Sequence, residues 1–198
     1  MGKNSSLLFN SIAPVYGLFY DMQKSRYRAV FDRVSEALGL TSYVNVLDVG
    51  CGTGALCSVL HEKGFVVTGI DPADKMVRIA QKHRENRTIT FIQANVLESL
   101  PFETKTFDLS IASYVAHGLQ KSERKQMYAE MSRVSKSKVI IYDYNQKRGV
   151  MTSIIEWLER GDYFNFIKDA EAEMNEYFSE VHVVDVDSRA ALYICTPN

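Results

Sequence analysis

Short runs rich in Val, Ile and Phe, at 44–49, 65–71, 88–95, 107–113 and 138–144, alternate along this chain with stretches in which apolar residues recur every three or four positions. Such runs, bounded by turn residues and apolar on both faces, predict strands buried between helices in a parallel sheet. Before the first run, Tyr27, Val30, Phe31, Val34 and Leu38 fall at i, i+3, i+4, i+7 and i+11, one face of a helix that Gly39 ends. Tyr16 and Tyr20 precede that helix. Met127, Met131 and Val134 predict the buried face of a covering helix between the fourth and fifth runs, with Glu123, Arg124, Lys125 and Glu130 on its other faces. Two further helices are expected over 150–160 and 163–174. The chain then closes on strands over 177–187 and 190–196, with a turn at Ser188–Arg189, an antiparallel hairpin. The alternation, with no repeat and no Gly/Ser linker, gives one α/β domain whose mostly parallel sheet finishes antiparallel.

Composition supports that picture. The 198 residues are 46% hydrophobic and 24% charged, with 11 Gly and 4 Pro, which excludes collagen-like, low-complexity and disordered classes. A chain of this size buries roughly 70% of its unfolded surface, so no disulfide or structural metal is required. Three cysteines without C-x-x-C spacing predict a reduced protein and no zinc knuckle. No run approaches a membrane span, and the opening MGKNSSLLFNSIAP is too weakly basic and too briefly apolar for a signal peptide; the expected location is cytoplasmic. The net charge of −1 offers no general attraction to nucleic acid or anionic lipid. Residues 151–189 hold ten acidic and three basic side chains, either ordinary solvated faces or a surface that repels polyanions. Neither HExxH nor GxSxG occurs, so metallohydrolase and serine-hydrolase chemistry have nothing to stand on.

The chemistry concentrates after the first strand. Gly50, Gly52 and Gly54 follow it directly and open a helix over 55–62. Missing β-carbons let a ligand lie against the backbone, and the helix start offers N–H groups at the carboxyl end of a strand, where open α/β sheets bind ligands. The spacing Gly50-x-Gly52-x-x-Ala55 also satisfies the relaxed dinucleotide fingerprint, so the glycines alone leave the cofactor undecided. Asp48, on a central strand, requires a cationic or donor-rich partner. An ammonium fits it; a pyrophosphate in the same loop would be repelled; the loop's own amides are the structural alternative. Asp71, ending the second strand ahead of Pro72, can accept both hydroxyls of a ribose or cap the following helix. Met76 can rest on an adenine face or pack in the core. His117, after the fourth strand, is placed to take a proton from an acceptor, or to serve as a hydrogen-bonded loop residue. Trp157, Tyr163, Phe164 and Phe166 offer aromatic walls for an acceptor or helix-core packing.

The runs VLDVGCGTG, GIDPADKM, QANVLESLPF and FDLSIASYVAHGL, in this order, resemble the class I S-adenosylmethionine-dependent methyltransferases over residues 44–145. The segment FNSIAPVY, residues 9–16, resembles the small-molecule branch that includes quinone-biosynthesis enzymes. The resemblance implies a Rossmann-like, doubly wound sheet of seven strands ending in an antiparallel hairpin. Within one domain it implies a helical cap over 1–40, a cofactor-binding core over 41–145, a helical lid over 146–175 and the hairpin over 176–198. The cofactor implied is S-adenosyl-L-methionine. Carried over by position, Asp48 would sit by the methionine ammonium, Gly50, Cys51, Gly52 and Gly54 would form the cofactor loop, and Asp71 with Pro72 and Met76 would meet the adenosine. Asn95, where the family often has Asp, would meet the adenine with the Val96 N–H nearby. Ser113 and Tyr114 would border the sulfonium and acceptor, and Tyr16 and Tyr20 would fold over the cofactor. The partner implied is a small-molecule acceptor, with nucleic acid disfavoured, no membrane insertion, and a monomer or homodimer. A nicotinamide-dependent oxidoreductase and a non-catalytic S-adenosylmethionine-binding regulator are the competing readings.

Overall fold

The computed structural model describes residues 17–35, 39–145 and 162–198, without the side chains of Thr41, Tyr163 and Phe164. Tyr16, Leu38, Trp157 and the helix expected over 150–160 lie outside these residues. Seven strands make a mostly parallel α/β sheet that finishes antiparallel, as the apolar runs predict. The chain divides into two compact units between Asn95 and Val96.

In the first unit, α1 (Tyr20–Val34) precedes β1 (Asn45–Val49), α2 (Ala55–Glu62), β2 (Val66–Asp71), α3 (Asp74–Lys82) and β3 (Thr90–Gln93). The strands lie parallel in the order β3-β2-β1, with Asp48 opposite Gly69. Every residue of α2 from Ala55 to Leu60 is buried, so this helix is covered all round, and α1 packs across it through Val30, Phe31 and Val34. Burying each such side chain is worth about 1.5–3 kcal/mol. The ion pairs Lys24–Glu62 at 2.8 Å and Arg28–Glu62 at 2.7 Å add at most about 1 kcal/mol each. Tyr20 is the first residue of α1, not a residue before it. The helix starts with a polar turn that has no apolar period to announce it.

In the second unit, β4 (Phe107–Ser113) leads through a short 3-10 turn, Ala116–Gly118, to α4 (Lys121–Val134), β5 (Ser135–Tyr144), α5 (Tyr163–Asn175), β6 (Phe178–Asp185) and β7 (Ala190–Pro197). The strand order is β4-β5-β7-β6, with β7 antiparallel to both neighbours. β5 begins at Ser135, ahead of the expected Lys138, because Ser135 Oγ is buried in a 2.7 Å hydrogen bond to Ser110 Oγ. Met127, Met131 and Val134 are fully buried as their spacing predicts. Arg124 is not on an outer face: it too is fully buried. Its Nε and Nη2 donate to the two oxygens of Glu173 at 2.7 and 2.8 Å, and Nη1 donates to Leu119 O at 2.7 Å and Asp162 Oδ2 at 3.0 Å. Phe166 is core rather than pocket wall, buried between this guanidinium and the Tyr193 ring.

Candidate active site

β1 carries Val46, Leu47, Asp48 and Val49, all buried, so the strand takes a carboxylate into the interior of the first unit. At its end the amides of Gly50 and Cys51 both donate to Ile70 O, at 2.8 and 2.9 Å, and Gly54 N–H returns to Cys51 O at 2.9 Å. This closes a loop in which Gly50, Gly52 and Gly54 have φ of +72°, +53° and +83°. The last two glycines answer to different causes. A β-carbon on Gly54 would stand 2.8 Å from Asn86 Nδ2 and 3.0 Å from Ala80 and Phe91, so packing inside the unit requires it. A β-carbon on Gly52 would meet nothing within 4 Å; the backbone there faces open space.

Asp48 is 1% exposed, and its hydrogen-bond partner among the described residues is the thiol of Cys57, Sγ to Oδ2 at 3.0 Å. The amides of Gly50 and Cys51 turn to Ile70, that of Gly52 to Asp71 and that of Gly54 to Cys51, so the reading in which they satisfy Asp48 is not realised. Burial pushes the Asp48 carboxyl up to about 7; the thiol opposes that rise and the nearby Asp71 charge adds to it. Asp71 accepts Gly52 N–H at 3.0 Å on one oxygen and Ala73 N–H at 2.8 Å on the other, so it braces both the glycine loop and the turn that leads into α3. Burial pushes its carboxyl up to about 6 in spite of those two amides. No Lys or Arg pairs with either carboxylate among the described residues.

The other sequence-predicted residues fall as follows. Pro72, partly buried, gives its carbonyl to Gln93 Nε2 at 3.2 Å. Cys51 is buried in the loop, and Asn95 is half-buried just past β3. Met76 packs with Ala73 and Ile79. Tyr20 is buried, its ring flat on His83 with centroids 3.6 Å apart and its hydroxyl 3.4 Å from Asn86 Oδ1; burial pushes that hydroxyl up to about 12. Met76 and Tyr20 therefore make packing contacts inside the first unit.

Val96, Ser113 and His117 belong to the second unit, where Val96 is buried and Ser113 half-buried at the end of β4. Tyr114 follows in the left-handed region, φ +54°, its N–H 2.8 Å from Tyr142 O. His117, in the 3-10 turn, sets Nδ1 2.8 Å from Asp143 Oδ1 and its backbone N–H 3.3 Å from Oδ2. The Tyr144 ring stands edge-on to His117 at 4.9 Å, and Tyr114 packs on Tyr142 and Tyr144 at 5.0 and 5.3 Å. Sequence reasoning did not find Cys57 or Asp143. An acid at the carboxyl end of a buried strand, the signal that marks Asp48, also marks Asp143 in the run Tyr142-Asp-Tyr144. Nothing in the sequence marks Cys57.

Among the described residues no cluster of three or more His, Cys, Asp or Glu could hold a metal, and no helix is long and apolar enough to cross a membrane.

Residues 46–138 match the family model of a methyltransferase domain. An uncharacterized methyltransferase of Alkaliphilus oremlandii is 28% identical over 82% of this chain and 74% of its own length. The demethylmenaquinone methyltransferase of Renibacterium salmoninarum is 30% identical over 70% of this chain and 57% of its own. Among solved structures, magnesium protoporphyrin IX methyltransferase from Synechocystis, with bound S-adenosylhomocysteine, superposes with a TM-score of 0.63 over 88% of this chain and 83% of its own, at 15% identity. The matched span contains the buried aspartate, the glycine loop and the second aspartate described above. Residues 46–138 thus carry a methyltransferase domain, and the chain is a methyltransferase whose cofactor is S-adenosyl-L-methionine.

Proposed function

We propose that this enzyme transfers a methyl group to a small-molecule acceptor, with the cofactor held by the first unit through Asp48, the glycine loop and Asp71. The observation that carries the reading is Asp48: a carboxylate 1% exposed, offered a thiol and no cation among the described residues. An ionised carboxylate in that setting is costly until a positive group reaches it, and an ammonium is such a group. A pyrophosphate beside it would meet a like charge, a repulsion on the order of 1 kcal/mol or more. The remaining parts fit the same molecule. Gly52 opens the backbone to close approach, and Asp71 keeps acceptor capacity on each oxygen beyond its amide for a pair of ribose hydroxyls. Asn95 can meet an adenine edge through its amide.

Bound S-adenosylmethionine supplies an activated methyl group, so no protein nucleophile is required. The chain's own residues bind, orient and exclude water; holding two reactants in line can lower a barrier by roughly 7–11 kcal/mol. In the second unit, Ser113 and Tyr114 are the residues proposed to face the acceptor, and His117 the one to take up its proton. The small-molecule class is supported by the names of the relatives, a demethylmenaquinone and a magnesium protoporphyrin IX methyltransferase.

Thermal shift tests the reading directly. S-adenosylhomocysteine is expected to raise the melting temperature while NAD and NADP leave it unchanged; the opposite pattern overturns the cofactor assignment. A shift unaccompanied by methyl transfer to any fraction of a metabolite extract would move the protein to a regulatory role.

A further inference from the structure

Asp143 is fully buried and accepts three hydrogen bonds: from His117 Nδ1 at 2.8 Å, from His117 N–H at 3.3 Å and from Tyr144 N–H at 2.8 Å. We infer that Asp143 is a positioning residue, which fixes His117 in the tautomer protonated at Nδ1 and so leaves Nε2 as the ring's proton acceptor.

A carboxylate has only lone pairs to offer, so the ring nitrogen 2.8 Å from it must be the donor. In a neutral imidazole the other nitrogen is then unprotonated. The same carboxylate grips His117 twice, at backbone and ring, which fixes the plane of the imidazole as well as its tautomer. Tyr144 N–H in turn anchors the carboxylate. A residue serving only to satisfy the 3-10 turn would need the backbone contact alone, yet the ring contact is the shorter of the two. The neighbouring rings limit rotation further. Tyr144 stands at 81° to the imidazole, and Tyr114 stands edge-on to it at 6.4 Å.

The chain accepts strain to make this arrangement. Tyr114, φ +54°, is one of two described non-glycine residues in the left-handed region, a conformation that costs about 1–3 kcal/mol and persists where its surroundings over-determine it. Its N–H bond to Tyr142 O ties β4 to β5 just before the turn that bears His117. The strained residue, the histidine and the buried acid thus lie together at the carboxyl ends of two paired strands, where catalytic side chains of α/β sheets are found.

The part of this inference that concerns turnover rests on the proposed function; the tautomer does not. The decisive measurement is therefore made on the protein without cofactor. Long-range nitrogen–proton correlation spectra at mildly alkaline pH, with the His117 signals identified by their loss in His117→Ala, are expected to show a proton on Nδ1 and none on Nε2. A wild-type ring protonated at Nε2 overturns the inference without any variant having to fold. Asp143→Asn is expected to shift the ring toward the Nε2-protonated form and to lower kcat about 100-fold or more, the range of general acid–base effects, with S-adenosylhomocysteine affinity unchanged. In a His117→Ala background the same substitution is expected to slow turnover no further. An equal loss in both backgrounds overturns the positioning role. Failure of S-adenosylhomocysteine to bind the wild type counts against the proposed function and leaves the spectra as the judge of Asp143.

Discussion

Asp48 in the first unit and Glu173 in the second are both 1% exposed, yet the chain treats them in opposite ways. Glu173 meets a bidentate guanidinium, with Arg124 Nη1 further bonded to Leu119 O and Asp162. Asp48 has a thiol, and the charge that acts on it, Asp71, is of the same sign. A buried charge whose partner is built in does structural work, joining α4 to α5. One left without a partner keeps an attraction for a cation from outside, at a cost to the stability of the empty protein. The same contrast separates the roles that sequence types alone cannot, since both residues are acids among apolar neighbours.

The largest effect is expected where the compensation is complete. Arg124→Met leaves Glu173 buried with only Lys121 Nζ, 3.6 Å away, as a charged partner among the described residues, and is expected to lower the unfolding free energy by about 3–5 kcal/mol in denaturant titrations, with Arg124→Met/Glu173→Leu recovering most of the loss. A single-variant loss below about 1 kcal/mol would erase the contrast. For Asp48 the sign reverses. Asp48→Asn is expected to raise the melting temperature of the empty protein at neutral pH and to weaken S-adenosylhomocysteine by about 2–4 kcal/mol, roughly 30- to 1000-fold, by calorimetry.

The pH dependence follows from the same pair of acids. Burial raises both folded-state values above the ordinary 3.8, to about 7 for Asp48 and about 6 for Asp71. The folded chain therefore holds more protons than the unfolded one within that window, and the stability of the empty protein falls as pH rises through it. Affinity for the cofactor's ammonium runs the other way, falling about tenfold per unit as pH drops below the Asp48 value, with the Asp48 contribution absent in Asp48→Asn. A flat affinity between pH 6 and 8 in the wild type would sink the ammonium assignment. The smallest effects separate the glycines. Gly54→Ala is expected to cost about 1–3 kcal/mol of stability through its clashes with Asn86, Ala80 and Phe91. Gly52→Ala is expected to cost about 1 kcal/mol, from its positive φ alone, and to weaken cofactor binding more than stability.

Much of the fold was legible because the parallel strands carry short apolar runs and the helices before β1 and β5 repeat their apolar residues every third or fourth position. The hairpin, Phe178–Asp185 against Ala190–Pro197, was found from the turn between its runs. Polar starts were not: the first turn of α1 and the Ser135 end of β5 carry no apolar period. Arg124 was placed on the wrong face because periodicity reports where a residue points along its own helix, not that Glu173, 49 positions away, stands ready to receive it.

By itself the sequence determined the order of strands and helices, and it set an acid before, and another after, a run of glycines. Those features are local: they follow from side-chain volume, polarity and the freedom of backbone without a β-carbon. Only the tertiary structure decided which buried acids are neutralised, that the Cys57 thiol rather than the loop amides reaches Asp48, and that Asp143 grips His117 at ring and backbone. The reason is that desolvation and hydrogen bonding depend on which distant residues fill the few ångströms around a charge, and that is fixed only when the helices pack onto the sheet.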